Sequence, residues 1–403
     1  MNDRTALELL VAHGPLTRTR LGELAGLSKP TASQLLGRLE AAGLVRVTGT
    51  ATGRPGPNAR LYEINPAAAH VAALAVDHAG VTAAVADITG AVLGEHRVSA
   101  AATDAATDAD VRGRTAGIIT ETAGIITEAV GIVTEAVDGA LAAAGLGNGD
   151  LHQAVIGMPG ALDPRSGELR YAPHLPGWQS RTLRDDLAAA LGTPVVIEND
   201  VNLAAVAEQH LGTAQDVDDF VLVRVDEGIG AAVVLGGRPL RGATGGAGEI
   251  GYMPLPGAPP ARGGPAAAAR PDAGGGFQKL VGSPAVVELA RDHGIAAPTA
   301  AKALAQALHT PGAGDAVLTE LARRLVSGLA AVVAVVDPEL VVLSGEVPQA
   351  GGKRLLELVE AEFTGLALPR PRLRLSTVAG SPILIGALRT ALAAARDAVF
   401  DTA

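Results

Sequence analysis

Thr17-Arg-Thr-Arg-Leu-Gly-Glu-Leu-Ala-Gly-Leu-Ser28-Lys-Pro-Thr-Ala-Ser-Gln-Leu-Leu-Gly-Arg-Leu39 reads as two short helices joined by a tight turn. Thr17 suits the first N-cap, because its hydroxyl can accept a backbone N–H that the first turn leaves unpaired. Leu21, Leu24 and Ala25 then recur at helical spacing, and Gly26 ends the helix. Ser28 caps the second helix, and Pro30 is tolerated in its first turn, where a missing N–H costs nothing. Ala32, Leu36 and Leu39 line its buried face. Lys29, Thr31, Ser33, Gln34 and Arg38 are left outside, where a recognition helix meets base edges and phosphates. Gly43 closes this helix. Leu44 to Val47 and Leu61 to Ile64 read as two strands, and the turn Gly53-Arg54-Pro55-Gly56-Pro57 places Arg54 for a minor groove. Residues 1–65 are therefore expected to form a winged helix-turn-helix that binds DNA. A three-helix domain that makes protein contacts would share the pattern.

Charge divides the chain in the same place. Residues 1–60 carry eight Lys or Arg against four Asp or Glu, net +4, and the rest carry 24 against 38, net −14. The basic part is the part expected to touch phosphate. With 403 residues, 48% of them apolar, the chain can build more than one core. It has no cysteine, which rules out disulfides and thiolate metal sites and fits a reducing compartment. The longest apolar run, Leu325 to Val336, is interrupted by Ser327 and is too short to span a bilayer. No basic and apolar leader opens the sequence, so a cytoplasmic protein is expected.

Past Pro66, strands alternate with helices. Val71 to Val76, Val81 to Ile88 and Ala91 to His96 read as a meander. Ala154 to Gly157, Val195 to Ile197, Phe220 to Val225, Ala231 to Leu235 and Leu340 to Leu343 are further buried runs. Two strand-rich clusters of this kind predict an α/β body with two lobes around a cleft. The expected lobes are residues 70–195 with 385–403, and residues 196–384, the second carrying a dimerisation surface. Between the clusters, residues 116–136 repeat a heptad three times. It stacks Ile118, Ile125 and Ile132, but Gly117, Gly124 and Gly131 weaken the helix and Glu121, Glu128 and Glu135 form a column of one sign. A lengthened packing helix is favoured over a coiled coil.

Ile156-Gly-Met-Pro-Gly160 through Asp163, Leu175-Pro-Gly-Trp178, Glu198-Asn-Asp-Val-Asn202, Gly228-Ile-Gly230 and Gly248-Glu-Ile-Gly251 follow one another in an order and spacing that resemble the ROK family of repressors, open reading frames and kinases. The resemblance covers roughly residues 2–400. It implies two actin-like, ribonuclease-H-like lobes behind the winged helix, with sugar in the cleft and ATP beside it. Gly160, Asn199, Asp200, Glu249 and Gln278 would then surround the sugar. By resemblance Asp200 stands at the catalytic base, which a poorly nucleophilic sugar hydroxyl requires. Asn199 and Asp200 would equally serve to cap a helix starting near Val201.

Phosphate handling departs from the family. Its kinases have a Gly-Gly-Thr turn after the first strand, where this chain has Asp77-His78-Ala79-Gly80-Val81-Thr82, with Val81 in place of the threonine. The second turn, Gly-Thr-Gly-Ile-Gly in the kinases, reads Asp226-Glu227-Gly228-Ile229-Gly230, and Glu346 falls where the adenosine site is usually glycine-rich. Two like charges about 4 Å apart repel by about 4 kcal/mol at an effective dielectric of about 20, so no useful ATP binding is expected. The sugar side differs as well. Tyr252 replaces the family's histidine, Gln278 replaces a sugar-binding glutamate, His174 lies where an asparagine is common, and the zinc loop is replaced by the Pro, Ala and Gly-rich residues 253–276. No metal and no cofactor is expected. The leading reading is a transcriptional regulator, a repressor, that binds double-stranded DNA as a homodimer or homotetramer and responds to a sugar or sugar phosphate. The alternatives are a carbohydrate kinase carrying a DNA-binding head, and a DNA-binding protein without an effector.

Overall fold

The computed structural model describes residues 2–51, 59–77, 79–99, 118–170, 178, 180–260, 275–366 and 369–401. The turn that carries Arg54, the first part of the heptad region, His174 and most of the Pro, Ala and Gly-rich stretch lie outside them.

The head consists of α1 (Asn2–His13), β1 (Leu16–Thr17), α2 (Arg18–Ala25), α3 (Lys29–Ala41), β2 (Val45–Ala51) and β3 (Ala59–Ile64). Both caps form as read. Thr17 Oγ1 accepts from Arg20 N at 3.2 Å and Ser28 Oγ accepts from Thr31 N at 3.4 Å. Gly26 takes a left-handed conformation, φ 66°, which lets the chain reverse between α2 and α3 without the strain a Cβ would add. The wing strands run longer than read, and β2 pairs antiparallel to β3 with an irregularity between Val47 and Gly49. The sequence reading began at Thr17 and missed α1, whose Ala6, Leu7 and Leu10 are fully or almost fully buried and supply much of the head core.

The body repeats one topology. In the first sheet, β4 (His70–Asp77), β5 (Gly80–Asp87) and β6 (Val92–Ser99) form an antiparallel meander. After α4 (Ile118–Ala144), β7 (Leu151–Met158) adds parallel to β4. The short hairpin β8 (Ala161–Leu162) and β9 (Leu169–Arg170) and the helix α5 (Leu183–Leu191) lead to β10 (Val195–Asn199), parallel to β7. The order is β10-β7-β4-β5-β6. After α6 (Asp200–Leu211), the second sheet begins with β11 (Phe220–Val225), β12 (Ile229–Leu235) and β13 (Arg238–Pro239). The helices α7 (Gln278–Val281), α8 (Ser283–Asp292), α9 (Ala300–Ala307) and α10 (Ala313–Val336) precede β14 (Leu340–Ser344). Then α11 (Glu346–Thr364), broken at Gly352, precedes β15 (Arg372–Leu375). Its order, β13-β12-β11-β14-β15, matches the first sheet strand for strand. The turns Asp77–Gly80 and Val225–Ile229 are thus equivalent positions of the two lobes.

Because β10 pairs along its whole length with β7, the lobe boundary expected at residue 195 cuts a strand. Sheet membership carries the first lobe to Asn199. The last helix, α12 (Pro382–Phe400), packs across β4 and β7 with α6 against it, and it starts before the expected residue 385. The described side chains of α4 lie on the first sheet, with Ala129, Val133, Ala136, Val137 and Ala140 buried, as a packing helix requires. Among the described residues no helix is long and apolar enough to cross a membrane.

Candidate functional site

On α3, Ala32, Leu35, Leu36 and Leu39 are buried, while Lys29, Thr31, Ser33, Gln34 and Arg38 are exposed together. Several of these are tied down. The Thr31 hydroxyl lies 2.8 Å from Ser28 Oγ, Ser33 Oγ accepts from Arg18 at 3.3 Å, and Arg38 pairs with Asp3 at 2.6 Å. Arg38 is thus partly neutralised by α1, an arrangement that spacing within α3 does not reveal. Arg46 pairs with Glu63 across the wing at 2.8 Å.

The second candidate site is the meeting point of the lobes. The strand β10 ends at Asn199 and α6 starts at Asp200, so the chain turns sharply where the sheets approach. Asn199 Oδ1 accepts from Val201 N at 2.9 Å and Asn202 N at 3.1 Å, and its Nδ2 donates to the Gly160 carbonyl at 2.9 Å. Glu198 holds the turn from below. Its Oε1 accepts from Asn199 N and Asn202 Nδ2, and its Oε2 pairs with Arg241 at 2.6 Å. The capping role weighed for Asn199 is therefore filled, and Asp200, whose Oδ1 also accepts from Val201 N at 2.9 Å, opens α6.

Three further charges crowd Asp200. Glu249 approaches from the loop after β13, and Arg224 and Asp226 come from the end of β11, where the Arg224 guanidinium pairs with Asp226. Burial pushes the Asp200 carboxyl up, opposed by the charge of Arg224. Burial and the nearby Asp200 push Glu249 up to about 7. Gln278 stands alongside, its amide oxygen against Gly228 and Gly251. The cleft thus brings together Gly160, Asn199, Asp200 and Glu249 and sets Gln278 on the side of the second turn. Sequence reading missed Arg224. Its trace was a basic residue within the otherwise apolar run Phe220-Val-Leu-Val-Arg-Val225.

At each turn an aspartate carboxylate takes up a backbone N–H. In the first, Asp77 Oδ1 accepts from Ala79 N at 2.7 Å, Arg97 bridges Asp77 and Thr82, and the Val81 side chain is buried in the core. In the second, Asp226 Oδ1 accepts from Glu346 N at 2.6 Å, while Glu227 is exposed at the tip. Glu346 Oε1 in turn accepts from Ala301 N at 3.3 Å.

Two lobes of one topology that meet at a group of carboxylates, with a winged helix in front, define a sugar-kinase-like body coupled to a nucleic-acid-binding head. The chain belongs to the ROK family, whose model matches residues 88–379, and a MarR family model matches residues 3–54. Among curated relatives, a β-glucoside kinase of Listeria monocytogenes is 37% identical over 106 residues, 26% of this chain and 36% of that protein. A putative xylose repressor of Caldicellulosiruptor sp. is 40% identical over 100 residues, a quarter of each chain. The DNA-binding transcriptional dual regulator NagC of Escherichia coli K12 is 35% identical over 96 residues, 24% of this chain and 23% of that one. These alignments span little more than a third of the relatives at most. Over the whole chain, the fold matches a ROK family transcriptional regulator described as a homolog of the E. coli MLC protein. The TM-score is 0.73 at 20% identity, covering 100% of this chain and 97% of that one. The ROK hexokinase from Thermus thermophilus matches 81% of this chain and 99% of its own, with a TM-score of 0.61 and 29% identity.

Proposed function

We propose that this chain is a DNA-binding transcriptional regulator, a repressor, whose ROK body senses a sugar instead of phosphorylating one. The observation that carries the reading is the capped helix α3, with Lys29, Thr31, Ser33 and Gln34 exposed on one face of a winged helix built onto the body. Such a face fits a major groove, with Arg54 of the wing reaching a minor groove. DNA as partner implies action in the cytoplasm, as a homodimer or homotetramer whose half-sites lie one or two helical turns apart. Gly160, Asn199, Asp200, Glu249 and Gln278 would contact the sugar. The ligand changes DNA affinity only if it binds the open and closed cleft with different strength.

Selection of genomic fragments bound by the purified protein, followed by challenge with sugars, tests the whole reading. Bound fragments should be released by at least one sugar. Lys29→Ala and Arg54→Ala should each weaken binding, the lysine variant lowering the salt slope by about 1. Unchanged affinity in both would refute the placement of helix and wing. The kinase relatives favour a second reading, an active kinase with a DNA-binding head. Saturable ADP release with any hexose would establish it, and Glu227→Thr should then raise the rate.

A further inference from the structure

The turn between β11 and β12 holds its own anion. Asp226 Oδ1 accepts the backbone N–H of Glu346 at 2.6 Å, and Oδ2 accepts from the Arg224 guanidinium. An amide N–H and a guanidinium converging on one carboxylate are the donors that otherwise grip a phosphate oxygen. The turn is anchored at Asp226: its carbonyl accepts both the N–H and the hydroxyl of Ser283 at 2.8 Å, and Asp226 N donates to the Gly228 carbonyl at 2.9 Å. Around this clasp stand Asp200, Glu249 and the exposed Glu227. The Arg224 guanidinium is bonded to Asp226, and its charge also acts on Asp200.

We propose that Asp226 is an internal stand-in for a phosphate and makes the cleft selective for an unphosphorylated sugar over sugar phosphates and nucleotides. The inference rests on the sugar-sensing reading for its ligand, and on the Asp226 contacts alone for its mechanism. An incoming phosphate meets donors that Asp226 already satisfies and the like charge of Asp226 itself. A neutral polyol can exchange hydrogen bonds with Asp200 and needs no anion site.

Titration calorimetry with a panel of aldoses, their terminal phosphates and inorganic pyrophosphate tests this on the full chain. The wild type should give no saturable pyrophosphate signal, and any aldose it binds should bind at least about tenfold more tightly than its phosphate. Asp226→Asn removes the charge at constant size and should reduce that preference by about tenfold. Asp226→Gly, with Arg224 and the Glu346 N–H released, should gain pyrophosphate binding. An aldose phosphate bound as tightly as its parent by the wild type would overturn the proposal. So would an unchanged preference in Asp226→Asn if its melting temperature and circular dichroism match the wild type. If the wild type binds neither aldoses nor their phosphates, sugar sensing falls, and the pyrophosphate arm still decides the role of Asp226. A gain in Asp226→Gly supports it, and no gain in a folded variant overturns it.

Discussion

Glu249 has the most consequential single environment in the cleft. Burial and Asp200 raise its carboxyl from 4.5 to about 7, so the folded protein holds a proton there that the unfolded chain releases. The sign follows from linkage. The stability contributed by the protonated form is complete below about pH 4.5 and is lost as pH rises through about 7. Glu249→Gln mimics the protonated acid and should flatten that slope, gaining at most about 3 kcal/mol over wild type at pH 8 and almost nothing at pH 4.5. Urea unfolding at the two pH values measures it. Equal slopes in the two proteins would show that Glu249 titrates as an ordinary exposed acid.

At the scale of elements, α6 decides how the lobes meet, because it begins in the cleft at Asp200 and buries its far side against α12. Their crossing is close enough that a Cβ on Gly386 would strike the Leu203 carbonyl, which is backbone and cannot rotate away. Gly386→Ala should therefore cost about 1–3 kcal/mol, and a denaturation midpoint equal to wild type would disprove this contact. In the head, α3 depends on its cap. Ser28→Ala removes the acceptor for Thr31 N and should cost about 1 kcal/mol, with DNA binding reduced because the cap sets the first turn of the recognition helix.

For the whole molecule, the question is what seats the head on the body. Two contacts compete. Arg4 of α1 bonds Asp397 at 2.5 Å and Asp401 at 3.1 Å, but all these side chains are exposed and salt screens them. Phe400 of α12 and Ile88, in the turn after β5, lie instead in the same buried cluster as Leu7, Leu10 and Leu36. Burial of an aromatic ring outweighs exposed ion pairs, so Phe400→Ala should cost about 3–5 kcal/mol at the seam. It should speed amide exchange throughout the head, whereas Arg4→Ala should leave it near wild type, most clearly in high salt. If Arg4→Ala releases the head as fully as Phe400→Ala, the seam is electrostatic.

Much of this was legible in the linear chain. Thr17 and Ser28 declared their helices because capping is a bond between residues two or three apart. The buried strands declared themselves by runs of apolar residues, and the ordered motifs from Ile156 to Gly251 pointed to the family. What the chain order concealed are relations between distant segments. The strand β10 reads alike in either lobe, and only its pairing with β7 assigns it. Arg38 looks like a free phosphate contact until Asp3 packs beside it. Arg224 is a lone charge in an apolar strand until Asp226 pairs with it and Asp200 comes near from the other lobe. Caps, periods and turns are local in sequence and so were determined by it alone. The bond from Glu346 to Asp226 and the seam at Phe400 join residues more than a hundred positions apart, and only the tertiary fold decides which donor meets which acceptor.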